Sequence, residues 1–203
     1  MNQAVASIIK SNIEGLDFVD KIAGLTSVAL MTVTDEAGNK VEKRLPIACC
    51  ATVEDCKCGA YNDLCPDSKY KSVLYFEDQG VSFLKYEGNF KWYQSNLRLV
   101  CWLNVALIDA NCCADGIACT LSSKVIAQII RAMPTHPEDH SPMMRLYSEI
   151  TDQIVRSSAI FGQYTYNEKQ TQYLMYPYDY FALNIRTTFA ICLKGEDYFV
   201  PCG

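Results

Sequence analysis

The chain has 203 residues, half of them hydrophobic and 20% charged, which is enough apolar mass for a folded core and too few charges for a disordered polyampholyte. Its formal charge is −5, from 18 Lys+Arg against 23 Asp+Glu, which excludes the broad basic surface needed to grip DNA or anionic lipid. The longest apolar stretch, Leu99 to Ile108, is interrupted by Asn104 and falls far short of the ~20 residues of a membrane helix, so no membrane association is expected.

Residues 3–18 place Val5, Ile8, Ile9, Ile13 and Leu16 near helical spacing, predicting a short amphipathic helix. Val28–Thr34 and Val41–Ile47 are β-rich runs flanking a turn that contains Gly38-Asn39, the pattern of a hairpin. Pro46 argues for an edge strand, because it cannot donate to a ladder on that side. Residues 49–70 break the pattern and read as a long irregular insertion. Next, Ser72–Phe76 and Val81–Tyr86 are predicted as two strands joined at Asp78-Gln79-Gly80, with Phe90–Gln94 following the turn Glu87-Gly88-Asn89.

The strongest strand signal is Leu97 to Ile108: Leu97, Leu99, Cys101, Leu103, Val105 and Leu107 alternate with Arg98, Val100, Trp102, Asn104, Ala106 and Ile108. A second irregular insertion, 109–119, leads to Thr120 or Ser122 as a helix N-cap. Leu121, Val125, Ile129 and Met133 then recur every fourth residue until Pro134 stops the helix. Residues 135–141 read as a loop. For 143–158, Pro142 with Met143, Tyr147, Ile150 and Ile154 favours a helix, although Met144, Leu146 and Ile150 also suit a strand. Tyr180–Leu193 reads as the last strand. The sum is an α+β single domain, residues 1–203: an antiparallel β-sheet carrying two or three packed helices and long irregular loops, with no parallel crossover required.

Catalytic signatures fail in turn. The ten glycines form neither G-x-G-x-x-G nor the P-loop pattern, and G-x-S-x-G and H-E-x-x-H are absent. The two histidines, His136 and His140, share one proline-containing loop beside Glu138 and Asp139, which as a set read more simply as a solvated loop than as an oriented base. The expectation is no catalytic residues, no metal and no cofactor.

Eleven cysteines, an odd count, are few for a disulfide scaffold. The N-terminus lacks a basic region followed by an apolar run, so reduced thiols in a cytoplasm are expected. Cys49, Cys50, Cys56, Cys58 and Cys65 supply enough thiolates for a tetrahedral metal site, but their spacing departs from the C-x₂₋₄-C knuckle. Packing thiols are the simpler reading; a small metal-binding or thiol-redox protein organised around Cys49–Cys65 is the alternative to the reading below. Cys112, Cys113 and Cys119 with His136 and His140 form a weaker set. Finally, Tyr164, Tyr166, Tyr173, Tyr176, Tyr178 and Tyr180 crowd one short span, and tyrosine's large area and polar tip suit a partner interface.

Three stretches carry a family resemblance: Pro66 to Asp78, the strand Leu97 to Asn104, and Tyr176-Pro177-Tyr178-Asp179-Tyr180-Phe181-Ala182-Leu183. In layout the chain resembles the head-to-tail connector, neck-ring and tail-terminator proteins of tailed bacteriophages, with the virion ring proteins of crAss-like phages nearest. The resemblance implies a structural virion protein, assembled in the bacterial host cytoplasm into a homo-oligomeric ring between portal and tail. Its partners would be copies of itself and neighbouring portal, neck or tail ring proteins, with the 49–70 and 109–119 loops as contact arms. DNA would meet it only in passing through the channel; an acidic lining repels the backbone and lets it slide. The cysteine content departs from that family's pattern.

Overall fold

A computed structural model describes residues 1–34, 38–48, 64–110, 121–134, 138–141, 144–151 and 157–192. Helix α1 (Asn2–Ile13) precedes the hairpin β1 (Lys21–Thr34) and β2 (Lys40–Ala48). The long strands β3 (Ser72–Glu87) and β4 (Phe90–Asn104) lead into a single helical turn, α2 (Val105–Ile108), and then helix α3 (Leu121–Ala132). Strands β5 (Glu138–Ser141) and β6 (Met144–Ile150), a 3₁₀ turn (Ser158–Phe161), the short helix α4 (Glu168–Gln172) and β7 (Tyr178–Cys192) complete the order. Among the described residues the strands form one sheet in the order β2-β1-β3-β4-β7-β6-β5. The α+β class holds. The sheet is mixed, because β1 and β3 pair in parallel from Lys21–Val73 to Thr26–Glu77, and a parallel pair requires a crossover, here through residues 49–71.

Both faces of the sheet are covered. On one, Val5, Ile9 and Ile13 of α1 and Val125, Ile126 and Ile129 of α3 pack on Leu97, Leu99, Cys101 and Leu103, together with Phe181, Leu183 and Phe189 of β7. On the other, Val100 and Trp102 meet Tyr75, Ile160, Phe161 and Tyr164. The alternation along β4 thus sends odd residues to the helices and even residues to the aromatic layer.

Besides the parallel pair, where an antiparallel sheet was expected, the structure departs from the sequence expectation at five places. Residues 144–150 form a strand instead of a helix. Leu146 is buried in the helix-side core while Tyr147 is exposed, and the Ser148 and Thr187 hydroxyls bond at 2.9 Å; pairing with β7 overrides a four-residue periodicity that is coincidental. The expected 135–141 loop contains β5, which pairs with β6. Asp78-Gln79-Gly80 does not turn the chain but forms a bulge inside β3, where the register to β4 shifts between Asp78 and Val81. The runs 90–94 and 97–108 fuse into one strand that ends at Asn104, whose Nδ2 donates to the Ser68 carbonyl at 3.0 Å. Ser122 lies inside α3, where its hydroxyl donates to the Asp179 carboxylate, and Thr120 lies outside the described residues. No helix among the described residues is long and apolar enough to cross a membrane.

The bulge explains a glycine. Gly80 has φ +98°, and its N–H donates to Asp78 Oδ1 at 2.7 Å. A Cβ there would meet nothing within 4 Å, so Gly80→Ala isolates backbone strain from crowding. It is expected to lower stability by about 1–2 kcal/mol, read as a lower denaturant midpoint with unchanged slope.

Candidate interaction surface

The tyrosine-rich span is held by two local devices. Asn167 caps α4 by accepting from Gln170 N–H at 2.8 Å, while the Gln170 side chain accepts from Asn167 N–H at 3.0 Å, a reciprocal capping box. The chain then returns to the sheet through the cis Tyr176–Pro177 peptide. Around these points the tyrosines pack against the sheet and one another. Trp102 donates its indole N–H to the Tyr173 carbonyl at 2.6 Å and stacks on Tyr178, with centroids 5.3 Å apart. Tyr164 and Tyr166 stack on each other at 6.0 Å, and Tyr180 meets Phe161 edge-on at 5.4 Å. The structure therefore brings Tyr164, Tyr166 and Tyr173 of the covering segment together with Tyr178 and Tyr180 of β7 in the aromatic layer on the second face of the sheet. Tyr176 is the most exposed member of the set, at 75%, beside Met175 at 65%.

Beneath this layer lies a residue the sequence reading passed over. Glu77 is buried, and its Oε1 accepts from the Tyr164 hydroxyl at 2.8 Å and from Gln163 Nε2 at 2.6 Å. Arg98, its register partner on β4, reaches Oε2 at 3.7 Å and donates through Nε to Asn184 Oδ1 at 3.2 Å. Burial pushes the Glu77 carboxyl above the usual carboxylate range, against the downward pull of the Tyr164 bond, the Arg98 charge and the Gln163 bond. Burial and the facing Glu77 charge likewise raise the Tyr164 hydroxyl. This cluster fastens the 157–166 segment to the sheet. A Glu-Arg pair in register across β3 and β4 was the available signal, hidden by the bulge that follows at once.

The cysteines divide. Cys101 sits in the helix-side core, fully buried, and Cys65 is buried beside the aromatic layer. Burial pushes the Cys65 thiol up to about 11 and raises the Cys101 thiol well above its ordinary value, so both are protonated small hydrophobes at neutral pH and poor metal ligands. Cys49, Cys50, Cys56, Cys58, Cys112, Cys113, Cys119 and His136 lie outside the described residues, as does most of each expected loop insertion, 49–70 and 109–119. His140, Glu138 and Asp139 fall on β5. A cleft of about 250 Å³ beside α3 takes its polar groups from Asp17, Lys71, Lys124 and Gln128, a set without a nucleophile and base pair.

An exposed apolar stretch of the sheet lies on β3. Its pairing with β1 ends at Thr26–Glu77, so Val81–Glu87 has β4 on one side and no strand on the other among the described residues. Along this free edge Val81, Phe83, Leu84 and Tyr86 are 40–64% exposed. Phe83, Tyr86 and Tyr93 gather around the Lys91 ammonium, 5.2–5.8 Å from their centroids, and Lys85 pairs with Glu87 at 2.9 Å. A tight connection closes the arm, with Gly88 supplying the positive φ of +57° that a two-residue hairpin demands. Folded proteins blunt open edges with charge, proline or a covering segment. Strand β2 is blunted in that way: Pro46 has no N–H to offer, Thr165 N–H occupies the Arg44 carbonyl at 2.8 Å, and Lys40, Lys43 and Arg44 line it. The β3 arm carries four apolar residues instead. Comparison with protein-family models, curated proteins and solved structures gives no match, so the geometry of this arm carries the functional argument.

Proposed function

We propose that this chain is a structural virion protein of a tailed bacteriophage, a subunit that joins copies of itself into a ring in the neck between portal and tail and leaves a channel for DNA. The observation that carries the reading is the free half of β3, whose Val81, Phe83, Leu84 and Tyr86 stand exposed on an open ladder edge. A strand edge of this kind gains main-chain hydrogen bonds and apolar burial only by meeting another protein surface. Tyr176 and Met175 at the rim of the aromatic layer add a second exposed contact. The net charge of −5 suits a wall along which DNA slides without sticking. The reading assigns no catalytic residue and no cofactor; its partners are copies of the chain and neighbouring portal, neck or tail rings.

The test is association of the reduced full chain, followed by light scattering across a concentration series, alongside Phe83→Ser/Tyr86→Ser. Both side chains are half exposed or more, so the variant is expected to melt within a few degrees of the native protein while its self-association weakens at least tenfold, about 1.4 kcal/mol. A native chain that stays monomeric, alone and when mixed with neck and tail ring proteins, overturns the reading.

A further inference from the structure

The hairpin β3–β4 carries a different surface at each end. At one end, where Ser72 pairs with Leu103, lies the cleft of about 250 Å³. It is apolar inside: Phe18, Leu121 and Val125 are buried there, and Leu107, 48% exposed, lines it too. Asp17, Lys71 and Lys124 add charge to its wall, and the Lys71 ammonium donates to the Asp17 carbonyl at 3.3 Å. At the other end, where Glu87 pairs with Phe90, the arm presents Phe83, Leu84 and Tyr86. The 16 residues of β3 hold the two ends about 50 Å apart, so the arm does not reach the cleft of its own chain.

The two ends match in size and in charge. Small-molecule pockets run upward from about 300 Å³, so this cleft suits one or two large side chains better than a whole ligand. Tyr86, at 64% the most exposed aromatic side chain of the arm, stands between Lys85 and Glu87 in sequence, which sets an apolar ring among charges as the cleft sets an apolar interior among charges. Glu87 complements Lys71 and Lys124. Lys91 complements Asp17: its ammonium lies over the rings of Phe83, Tyr86 and Tyr93 and meets no carboxylate among the described residues. Burying Phe83 and Tyr86 against Leu107 takes exposed apolar surface of both partners out of water.

Resting on the self-assembly reading above, we propose that subunits join arm into cleft, the β3–β4 arm of one copy seating Tyr86 and Phe83 in the cleft of the next, with Glu87 against Lys71 and Lys124 and Lys91 against Asp17. The contact uses two different surfaces, so it is heterologous, and repetition by a rotation that returns to its start closes a ring. The occupant of the cleft is a second copy of this chain, its register set by the charges around the rings.

Two variants test it. Phe83→Ser/Tyr86→Ser strips the arm and keeps the cleft, whereas Leu107→Glu/Lys124→Glu spoils the cleft and keeps the arm. All four side chains are exposed, and circular dichroism checks folding. Each variant alone is expected to lose self-association at least tenfold in sedimentation velocity. An equimolar mixture is expected to form one-to-one dimers and nothing larger, because one intact arm then meets one intact cleft and neither partner can extend the assembly. Should a variant fail to fold, carbodiimide treatment of the native protein supplies the answer: a crosslink from Glu87 to Lys71 or Lys124, or from Lys91 to Asp17, joins opposite ends of the hairpin and so forms only between copies. Native protein that assembles while the cleft variant assembles equally well, or while the mixture stays monomeric, or without those crosslinks, overturns the arm-in-cleft contact and leaves the ring reading standing. Native protein that never associates overturns the reading itself.

Discussion

Trp102→Ala is expected to lower the stability of the fold by about 3–5 kcal/mol, the range for truncating a buried Trp or Phe, and so to remove a large fraction of the ~5–15 kcal/mol a domain possesses. Trp102 is 1% exposed and the largest side chain fully enclosed among the described residues. Its removal opens a cavity between the sheet and the aromatic layer, ends the stack on Tyr178, and leaves the Tyr173 carbonyl without its indole donor. Trp102→Phe keeps most of the volume and loses only the N–H, so about 1–2 kcal/mol is expected. Chemical denaturation of the three proteins checks the order. Equal midpoints would mean that residues 157–178 do not depend on the sheet beneath them.

The second large effect centres on Glu77. Glu77→Ala leaves the Tyr164 hydroxyl and Gln163 amide without their acceptor and Arg98 without its nearby carboxylate, costing about 1–3 kcal/mol. Glu77→Gln keeps an acceptor and removes the buried charge, so it is expected to be better tolerated at neutral pH. The pH dependence has a definite sign. Because the Glu77 carboxyl is raised above its ordinary value by burial, its contribution to stability is fully present below the unfolded-state pKa and is lost as pH rises through the folded-state value. The stability of the native chain relative to Glu77→Gln should therefore fall from acid toward neutral pH and then level off. Arg98 is the charge facing this carboxylate from β4, and Tyr164 and Gln163 face it from the covering segment. A difference that rises with pH would contradict this account of the cluster.

These residues show where a sequence can be read and where it cannot. The alternation from Leu97 to Leu103 was legible because the two faces of a central strand are both buried: Leu97, Leu99, Cys101 and Leu103 meet the helices while Val100 and Trp102 meet the aromatic layer. Pro46 marked an edge strand, and β2 is one. In contrast, a bulge and a turn use the same residues, and Asp78-Gln79-Gly80 takes its meaning only from the partner strand that continues past it. The strand 144–150 depends on the open flank of β7, which no local periodicity encodes. Six tyrosines in one span suggested an interface; Tyr164, Tyr166, Tyr173, Tyr178 and Tyr180 gather with Phe161 on the face of the sheet that carries Tyr75, Val100 and Trp102. The exposed arm was hidden for the converse reason: Val81, Phe83, Leu84 and Tyr86 look like core until β1 is seen to leave β3 at Thr26.

The account turns on contact between copies of one chain. Sedimentation equilibrium of the reduced full-length protein, over a wide concentration range, measures that contact directly. It is expected to give a discrete closed species at an integral multiple of the 22.8 kDa chain mass. A single 22.8 kDa species at every concentration, unchanged when neck and tail ring proteins are added, would contradict it.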